Sequence, residues 1–154
     1  MDKYDSTVDT KMHIQALQRY MSGAILRLAD RRHNHDASKL ESPEKETFDE
    51  FTPKLKDSTY GSDEYKGFLN EMGVALDHHY EHNSHHPEHF ENGINGMSLL
   101  DLLEMICDWK AATMRHADGD IAASLEINRK RFAISDQLFE ILKNTVIEME
   151  WDNG

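Results

Sequence analysis

The sequence predicts an all-α protein, a single domain of about six helices that spans residues 1–154. Three observations support this class. Apolar residues recur at helical spacing along most of the chain. Alternating polar and apolar residues and runs of β-branched residues, which are typical of strands, are almost missing. Serine or threonine stands just before several of the periodic segments, where a helix cap is expected.

The first helix is expected to follow Thr10 and to run to about Asp30. Its apolar positions repeat at helical spacing and are Leu17, Tyr20, Met21, Ala24 and Leu28. His13 is four residues before Leu17 and lies on the same stripe, so we expect it to face inward. Such a histidine is more often a core residue than a metal ligand, and both interpretations are kept.

A polar segment with a His-Asp pair follows the first helix. His35 and Asp36 are followed by Lys39, which gives an HDxxK pattern with the ammonium group one turn beyond the carboxylate. Neighbouring residues on a helix are about 100° apart, so the pair can reach one ion only at a helix end or an inward edge. The alternative interpretation is a solvated polar turn.

Two helices are predicted between residues 42 and 84. Ser42, Pro43 and Glu44 have the residue types of a helix start, and this short helix continues to about Leu55. Ser62 is expected to cap the next helix. The apolar face of that helix consists of Tyr65, Phe68, Leu69, Met72, Ala75 and Leu76.

A histidine-rich segment ends this helix, since six of the ten histidines lie within residues 78–89. His79 is the next inward position after the apolar face, and His82 returns toward that face. Pro87 prevents the segment from continuing as a regular helix. Histidine is the commonest metal ligand in proteins, so the segment indicates a metal site. A polar surface loop is the alternative, whereas a purification tag is usually terminal and uninterrupted.

Three more helices complete the pattern. Ser98 is expected to cap an apolar helix through Ala112, on which Asp101, Glu104 and Asp108 share one face. Three carboxylates at this spacing usually form a solvated face, but one of them becomes a candidate ligand beside the histidine-rich segment. The last two helices are expected around residues 121–131 and from Ser135 through Val146.

Charge and composition narrow the classes of function. The formal net charge is −12, which disfavours general binding to nucleic acids and to anionic membranes. No apolar run is long enough to span a bilayer, and no signal peptide is recognisable, so a cytoplasmic location is expected. Cys107 is the single cysteine, which excludes an internal disulfide.

In chain order the candidate residues are His13, the His35-Asp36 pair with Lys39, His79, His86 and Asp108. This order resembles that of the HD-domain superfamily of metal-dependent phosphohydrolases, all-helical proteins whose ligands come from several helices. Residues 35–39 resemble the HDxxK element of that superfamily, residues 85–88 its paired-histidine segment and residues 106–112 its final Asp helix. The choices of His86 over His85 and of Asp108 over Asp101 come from this resemblance.

Nearly the whole chain also resembles a family of bacterial and phage proteins that has no assigned function. The segments that carry this closer resemblance are HDASKLESPE, YGSDEY, HHPEHF, GINGM, LLDLLEMICDWKAA and RFAIS. Because that family has no assigned function, this second resemblance implies a fold and a metal rather than a substrate.

The resemblance to HD domains implies an HD-like helical fold and hydrolysis of a small phosphorylated metabolite or nucleotide. It implies one or two divalent ions, for which Mn, Fe, Zn, Mg, Co and Ni are candidates. The expected ligands are His13, His35, Asp36, His79, His86 and Asp108. Lys39 is expected to hold a phosphate oxygen, and Asp36 is needed for catalysis. The expected proton relay is Asp101, Glu104 or His82.

Two other functions fit the same residues. Mixed histidine and carboxylate ligands also suit iron, and some HD-like proteins are di-iron oxygenases. A binding protein without activity, in which a metal only stabilises the fold, is the second alternative. The expected partner is a small phosphorylated molecule, and the sequence leaves the oligomeric state open, with a homodimer as one option.

Overall fold

The computed structural model describes residues 4–115 and 119–153. These residues form six α-helices and four short 3-10 segments, and they contain no strand. The prediction of an all-α fold with about six helices is therefore confirmed. Contacts divide the chain between His35 and Asp36 into two units, and each unit is described by itself. The prediction of a single domain over residues 1–154 stays a prediction.

The first unit consists mainly of one long helix, α1, which spans Thr7–Asn34. It begins after Ser6 rather than after Thr10, and it ends with basic residues in its last turn, where they complement the helix dipole. None of its residues is buried, and His13 is exposed. The expectation that His13 faces inward is therefore wrong, because helical spacing shows which residues share a face but not what covers that face.

The second unit contains the other five helices. They are α2 (Glu44–Asp57), α3 (Asp63–His82), α4 (Leu99–Thr113), α5 (Ile121–Arg131) and α6 (Asp136–Glu148). The serine caps fall where the sequence predicts them, because the hydroxyl oxygens of Ser62, Ser98 and Ser135 accept hydrogen bonds from backbone N–H groups three residues later.

The core of the second unit lies where α4, α5 and α6 pack together. Its buried residues are Met105, Ile106, Trp109, Ile121, Leu125, Ile134, Phe139, Leu142 and Val146. Helices α2 and α3 pack against each other, and Phe51 contacts Phe68 edge to face with 6.3 Å between ring centres. Among the described residues, no helix is both long and apolar enough to cross a membrane.

Two local features position side chains in the second unit. Helix α3 is interrupted at Gly73, where φ is 34° and ψ is −107°, so the part of α3 after Gly73 has its own direction. Asp36 has φ 55° and ψ 16°, a left-handed conformation that aspartate adopts more readily than most residues. The 3-10 segment Ala37–Leu40 follows directly, and its Lys39 N–H donates to the Asp36 carbonyl.

Candidate metal centre

Four side chains of the second unit bring potential metal ligands together. Asp36, His79, His85 and His86 each offer an atom that lies within 4.8 Å of the others. The Asp36 Oδ1 atom lies 3.5 Å from His79 Nε2 and 3.4 Å from His85 Nε2. The Nε2 atoms of His79 and His86 are 2.9 Å apart. The side chains of His79 and His85 are buried.

These separations fit a shared divalent ion. Two ligand atoms at about 2.1 Å from one ion are about 3.0 Å apart at a right angle and about 3.4 Å apart at a tetrahedral angle. The measured distances of 2.9, 3.4 and 3.5 Å lie close to these values. Three imidazoles with one carboxylate is a donor set that suits zinc, iron, manganese and similar ions. The residues present therefore fit a transition metal.

The four donors come from two stretches of chain. Asp36 stands directly before the 3-10 segment at residues 37–40, and its left-handed backbone precedes the turn toward α2. His79 lies near the end of α3, on the face that also buries Met72 and Ala75. His85 and His86 follow α3, where the backbone leaves the helix before Pro87. The centre thus needs the turn before α2 and the end of α3 to lie side by side, as the contacts between them confirm.

Glu44, the first residue of α2, contacts the ring nitrogen of His79 that faces away from the other donors. Its Oε2 atom accepts a hydrogen bond from His79 Nδ1 at 2.9 Å, and its Oε1 atom lies 2.7 Å from His78 Nδ1. A carboxylate only accepts, so the Nδ1 atom of His79 carries the proton and its Nε2 lone pair points toward the other donors. A carboxylate behind a histidine is the usual support of a metal-bound imidazole.

Glu44 remains charged in this buried position. Burial alone raises the pKa of Glu44, whose side chain is 0% exposed. Hydrogen bonds with His78 and Ser38 and the nearby His79 lower this pKa by more than burial raises it. The net pKa of Glu44 is below its ordinary value. A charged acceptor therefore faces His79 at neutral pH.

His85 has a similar carboxylate behind it. Its Nδ1 atom lies 3.3 Å from Oε1 of Glu104 on α4, whose side chain is 13% exposed. Its Nε2 atom faces Asp36 on the other side of the ring. Glu104 thus lies within reach of the ring nitrogen of His85 that faces away from Asp36, and its expected role as a proton relay stays a prediction.

The pKa values of His79 and His86 lie below the ordinary value of a histidine. Burial, together with the neighbouring His85 and His79, lowers the pKa of His86 to about 3, and Asp108 opposes this effect. Burial and Lys39 lower the pKa of His79, and Asp36 and Glu44 oppose this effect. Because metals bind only the neutral imidazole, these directions keep lone pairs ready for an ion at neutral pH.

Lys39 connects the centre to a cavity. Its Nζ atom lies 2.6 Å from Asp36 Oδ2 and 4.9 Å from the ring centre of Phe48. Lys39 and Phe48 also line a cavity of about 680 Å³ in the second unit, bounded by residues of α2, α4 and α5 and by the start of α3. Its basic and aromatic lining residues are Lys39, Lys56, Arg115, Phe48, Tyr60, Tyr65 and Trp109.

The structure places the predicted residues in different surroundings. Asp36, His79 and His86 lie together, and a carboxylate oxygen of Asp108 lies within 4.8 Å of one from Asp36. His82 is exposed, stacks on His78 with 4.1 Å between ring centres and bonds to the His78 carbonyl through Nδ1. It belongs to no candidate ligand group among the described residues.

Two further ligand predictions concern the first unit. His13 is exposed on α1, and His35 is the C-cap residue that follows the last residue of α1, Asn34. Their roles as metal ligands stay predictions.

Two residues of the centre were not predicted from the sequence. His85 was set aside in favour of His86, although both belong to the cluster. Glu44 was assigned only to the first turn of a helix, and that position accounts for an acidic residue without any further role. No local pattern links Glu44 to His79, which follows it by 35 residues.

The comparisons with known proteins identify a family but no activity. No curated protein and no solved structure matches the chain. These comparisons show no link to the HD-domain superfamily, and the resemblance of the motifs to that superfamily stays an expectation from the sequence. One family model matches residues 2–148, a range that includes every residue of the candidate centre. The chain belongs to the family of unknown function DUF5662.

Proposed function

We propose that this protein is a metal-dependent phosphohydrolase that acts on a small phosphorylated metabolite or nucleotide. The observation that supports it most is the position of Lys39, which contacts a carboxylate of the candidate centre and also lines the neighbouring cavity. A metal that only stabilised the fold would need no adjoining cavity with a cation at its wall.

In this proposal Asp36, His79, His85 and His86 hold the ion, and Glu44 and Glu104 orient two of the histidines. A divalent ion held there supplies Lewis acidity toward a phosphoryl oxygen and lowers the pKa of water. Two further ligands are proposed on narrower grounds. Asp108 lies near Asp36, and His35 precedes Asp36 in the sequence pattern.

In this proposal the neighbouring cavity binds both the phosphate and the organic part of the substrate. Lys39 binds a phosphate oxygen as a point charge, and Lys56 and Arg115 add positive charge to the same walls. These three basic residues outnumber the two acidic ones that line the cavity, Asp57 and Asp120. Aromatic side chains offer faces on which a planar group stacks. The combination of ammonium groups and aromatic rings favours a phosphate ester with an unsaturated or ring-shaped organic part, and a nucleotide is one member of this class.

The test combines metal analysis with phosphate release. Protein purified without chelator is assayed for bound metal and then for phosphate release from p-nitrophenyl phosphate and a panel of nucleoside monophosphates and sugar phosphates. Asp36→Asn keeps the left-handed backbone accessible and should lose both metal and activity. Lys39→Met should keep the metal and lower kcat/KM roughly 10- to 100-fold, because a hydrogen bond to a charged group is lost.

A matched control is Lys45→Met, which removes an exposed lysine paired with Asp49 and should leave kcat/KM unchanged. Equal losses in Lys39→Met and Lys45→Met would contradict the proposed role of Lys39. A coloured iron protein that consumes oxygen would instead indicate an oxygenase. A protein that holds metal and releases phosphate from no substrate would indicate a binding protein.

A further inference from the structure

Two histidines near the end of α3 lie against each other outside the candidate centre. His78 and His82 are four residues apart, which places their side chains on the same face of the helix. Their rings stack with 4.1 Å between centres and an angle of 20° between planes. The side chain of His78 is 31% exposed, and His82 is exposed. The proposed hydrolase reaction uses neither residue.

The hydrogen bonds of the two rings place the lone pair on the same ring nitrogen. The Nδ1 atom of His78 lies 2.7 Å from Oε1 of Glu44, and the Nδ1 atom of His82 lies 2.8 Å from the carbonyl oxygen of His78. A carboxylate and a carbonyl oxygen only accept, so Nδ1 donates in both rings. Each ring, when neutral, therefore carries its lone pair on Nε2.

This arrangement suits a metal ion shared by both rings. Two histidines four residues apart on one helix face are an established pair of zinc ligands. Nitrogen ligands of one ion are about 3.0 Å apart at a right angle, and the broad terminal torsion of histidine lets the exposed ring of His82 tilt toward that geometry. Imidazole nitrogen suits Zn²⁺, Cu²⁺ and Ni²⁺, whereas Mg²⁺ and Ca²⁺ prefer oxygen ligands.

Two neighbouring features favour a cation at this position. His82 is the last residue of α3, and the carbonyl groups at the C-terminal end of a helix carry partial negative charge. The Glu44 carboxylate accepts from His78 Nδ1, and a carboxylate in that position strengthens an imidazole as a metal ligand. The other oxygen of the same carboxylate accepts from His79 in the candidate centre. Glu44 thus supports a histidine on either side.

We propose that His78 and His82 form a second metal site, exposed at the end of α3, which binds one Zn²⁺, Cu²⁺ or Ni²⁺ ion through the two Nε2 atoms. The pair is outside the groups of three or more candidate ligands found among the described residues. With two protein ligands, the ion keeps open positions for water, and it binds more weakly than an ion held by the four donors of the centre. This inference is independent of the proposed hydrolase activity.

The first test counts zinc ions per chain by equilibrium dialysis of chelator-treated protein at rising free Zn²⁺ concentration. His82→Gln should bind one ion fewer than the wild type over the same concentrations, because one imidazole of the pair is lost. The matched control is His89→Gln, which should bind as many ions as the wild type. His89 is also exposed and its Nδ1 atom also lies 2.8 Å from a backbone carbonyl, that of Tyr80, but its ring contacts Phe90. Equal counts in the wild type and His82→Gln, or an equal loss in both variants, would overturn the proposal.

The second test identifies the ligands in the wild-type chain by nuclear magnetic resonance of the histidine side-chain nitrogens. As Zn²⁺ is added, the Nε2 signals of His78 and His82 should shift together at the same concentrations, while that of His89 stays in place. Mg²⁺ in excess should shift none of the three, because it prefers oxygen ligands. A shift at only one member of the pair, or an equal shift at His89, would contradict a shared ion.

Discussion

The carboxylate of Glu44 bonds to two consecutive histidines, and only His79 of the two belongs to the candidate ligand set. We expect Glu44→Gln to reduce metal affinity roughly 10- to 100-fold, because the amide weakens the support behind His79 with little change in volume. A competition titration with a metal-binding dye measures this. Glu50→Gln, an exposed position on α2, is the control. Wild-type affinity in Glu44→Gln would show that His79 needs no such support.

The lowered pKa of His86 has a consequence for acid stability. In the folded protein this pKa is about 3, whereas an ordinary histidine has a pKa near 6.5. At pH values between these two pKa values, His86 is therefore protonated in the unfolded chain and neutral in the folded chain. The stabilising effect of a neutral His86 is complete above about pH 6.5 and is lost as the pH falls toward 3.

This is measured by urea unfolding of chelator-treated protein between pH 7 and pH 4. The free energy of unfolding should fall with decreasing pH, and it should fall less steeply in His86→Gln. His89→Gln serves as the control, because His89 is exposed. An equal slope in the wild type and in His86→Gln would contradict the assignment.

Single residues of the centre were predictable only where a local pattern pointed to them. His79 followed from the apolar stripe of its helix, and the structure buries it. The choice between His85 and His86 could not be made from spacing, because both leave the helix before Pro87 and both reach the cluster. Glu44 required knowledge of which helix start lies beside which helix end, and that depends on tertiary packing.

At the scale of one element, Gly73 and Gly67 in α3 offer a matched pair. Gly73 has φ 34°, whereas Gly67 has no such conformation, and an added Cβ would meet no atom within 4 Å at either position. We expect Gly73→Ala to destabilise the protein by about 1–2 kcal/mol, because an L-residue is strained there. Gly67→Ala should stabilise it by about 0.5–1 kcal/mol through helix propensity.

Chemical denaturation of both variants measures these free energies. The two substitutions add the same methyl group to the same helix, so any difference in sign comes from the backbone at Gly73. A stabilising Gly73→Ala would show that α3 runs straight through this position. A straight α3 would also aim His79 differently, so the metal affinity of Gly73→Ala is informative as well.

Helix starts were more predictable than helix surroundings. The Ser98 cap is local, and its hydroxyl oxygen accepts from the Asp101 N–H as the sequence pattern predicts. The carboxylate of Asp101 also accepts a hydrogen bond from the Ser84 hydroxyl at 2.7 Å. This bond positions Ser84, the residue just before His85. That second bond joins residues 17 positions apart, and no helix-capping rule contains it.

At the scale of the molecule, a bound ion should stabilise the fold. The donors of the candidate centre lie on segments that the chain separates by more than 40 residues, so an ion held by all of them favours the folded state. At a free metal concentration 100 times the Kd, the gain is about 2.7 kcal/mol. For a chain of this length, that corresponds to roughly 5–10 °C in Tm.

Thermal melts with EDTA and with added Mn, Fe or Zn measure the shift. Asp36→Asn should show little or no shift between the two conditions, while its helical content by circular dichroism stays close to that of the wild type. A wild-type melt that is indifferent both to the chelator and to each metal would contradict the metal centre.

The fold class was predictable because helical spacing and serine caps can each be recognised within a short segment of the sequence. The surroundings of α1 were not, since its stripe is apolar whether another part of the same chain or a second copy covers it. His13 shows the same limit, because helical spacing predicts which residues share its face but not that His13 is exposed.

The buried bond between Glu44 and His79 also slows exchange with water. A ring N–H proton of an exposed histidine is replaced by solvent protons so fast that its nuclear magnetic resonance signal vanishes. The Nδ1 proton of His79 is held by a carboxylate that is 0% exposed, on a ring that is itself 1% exposed. It should therefore persist as a resolved signal downfield of the backbone amides, and it should move or disappear in Glu44→Gln. This single proton would report the state of the centre without any substrate.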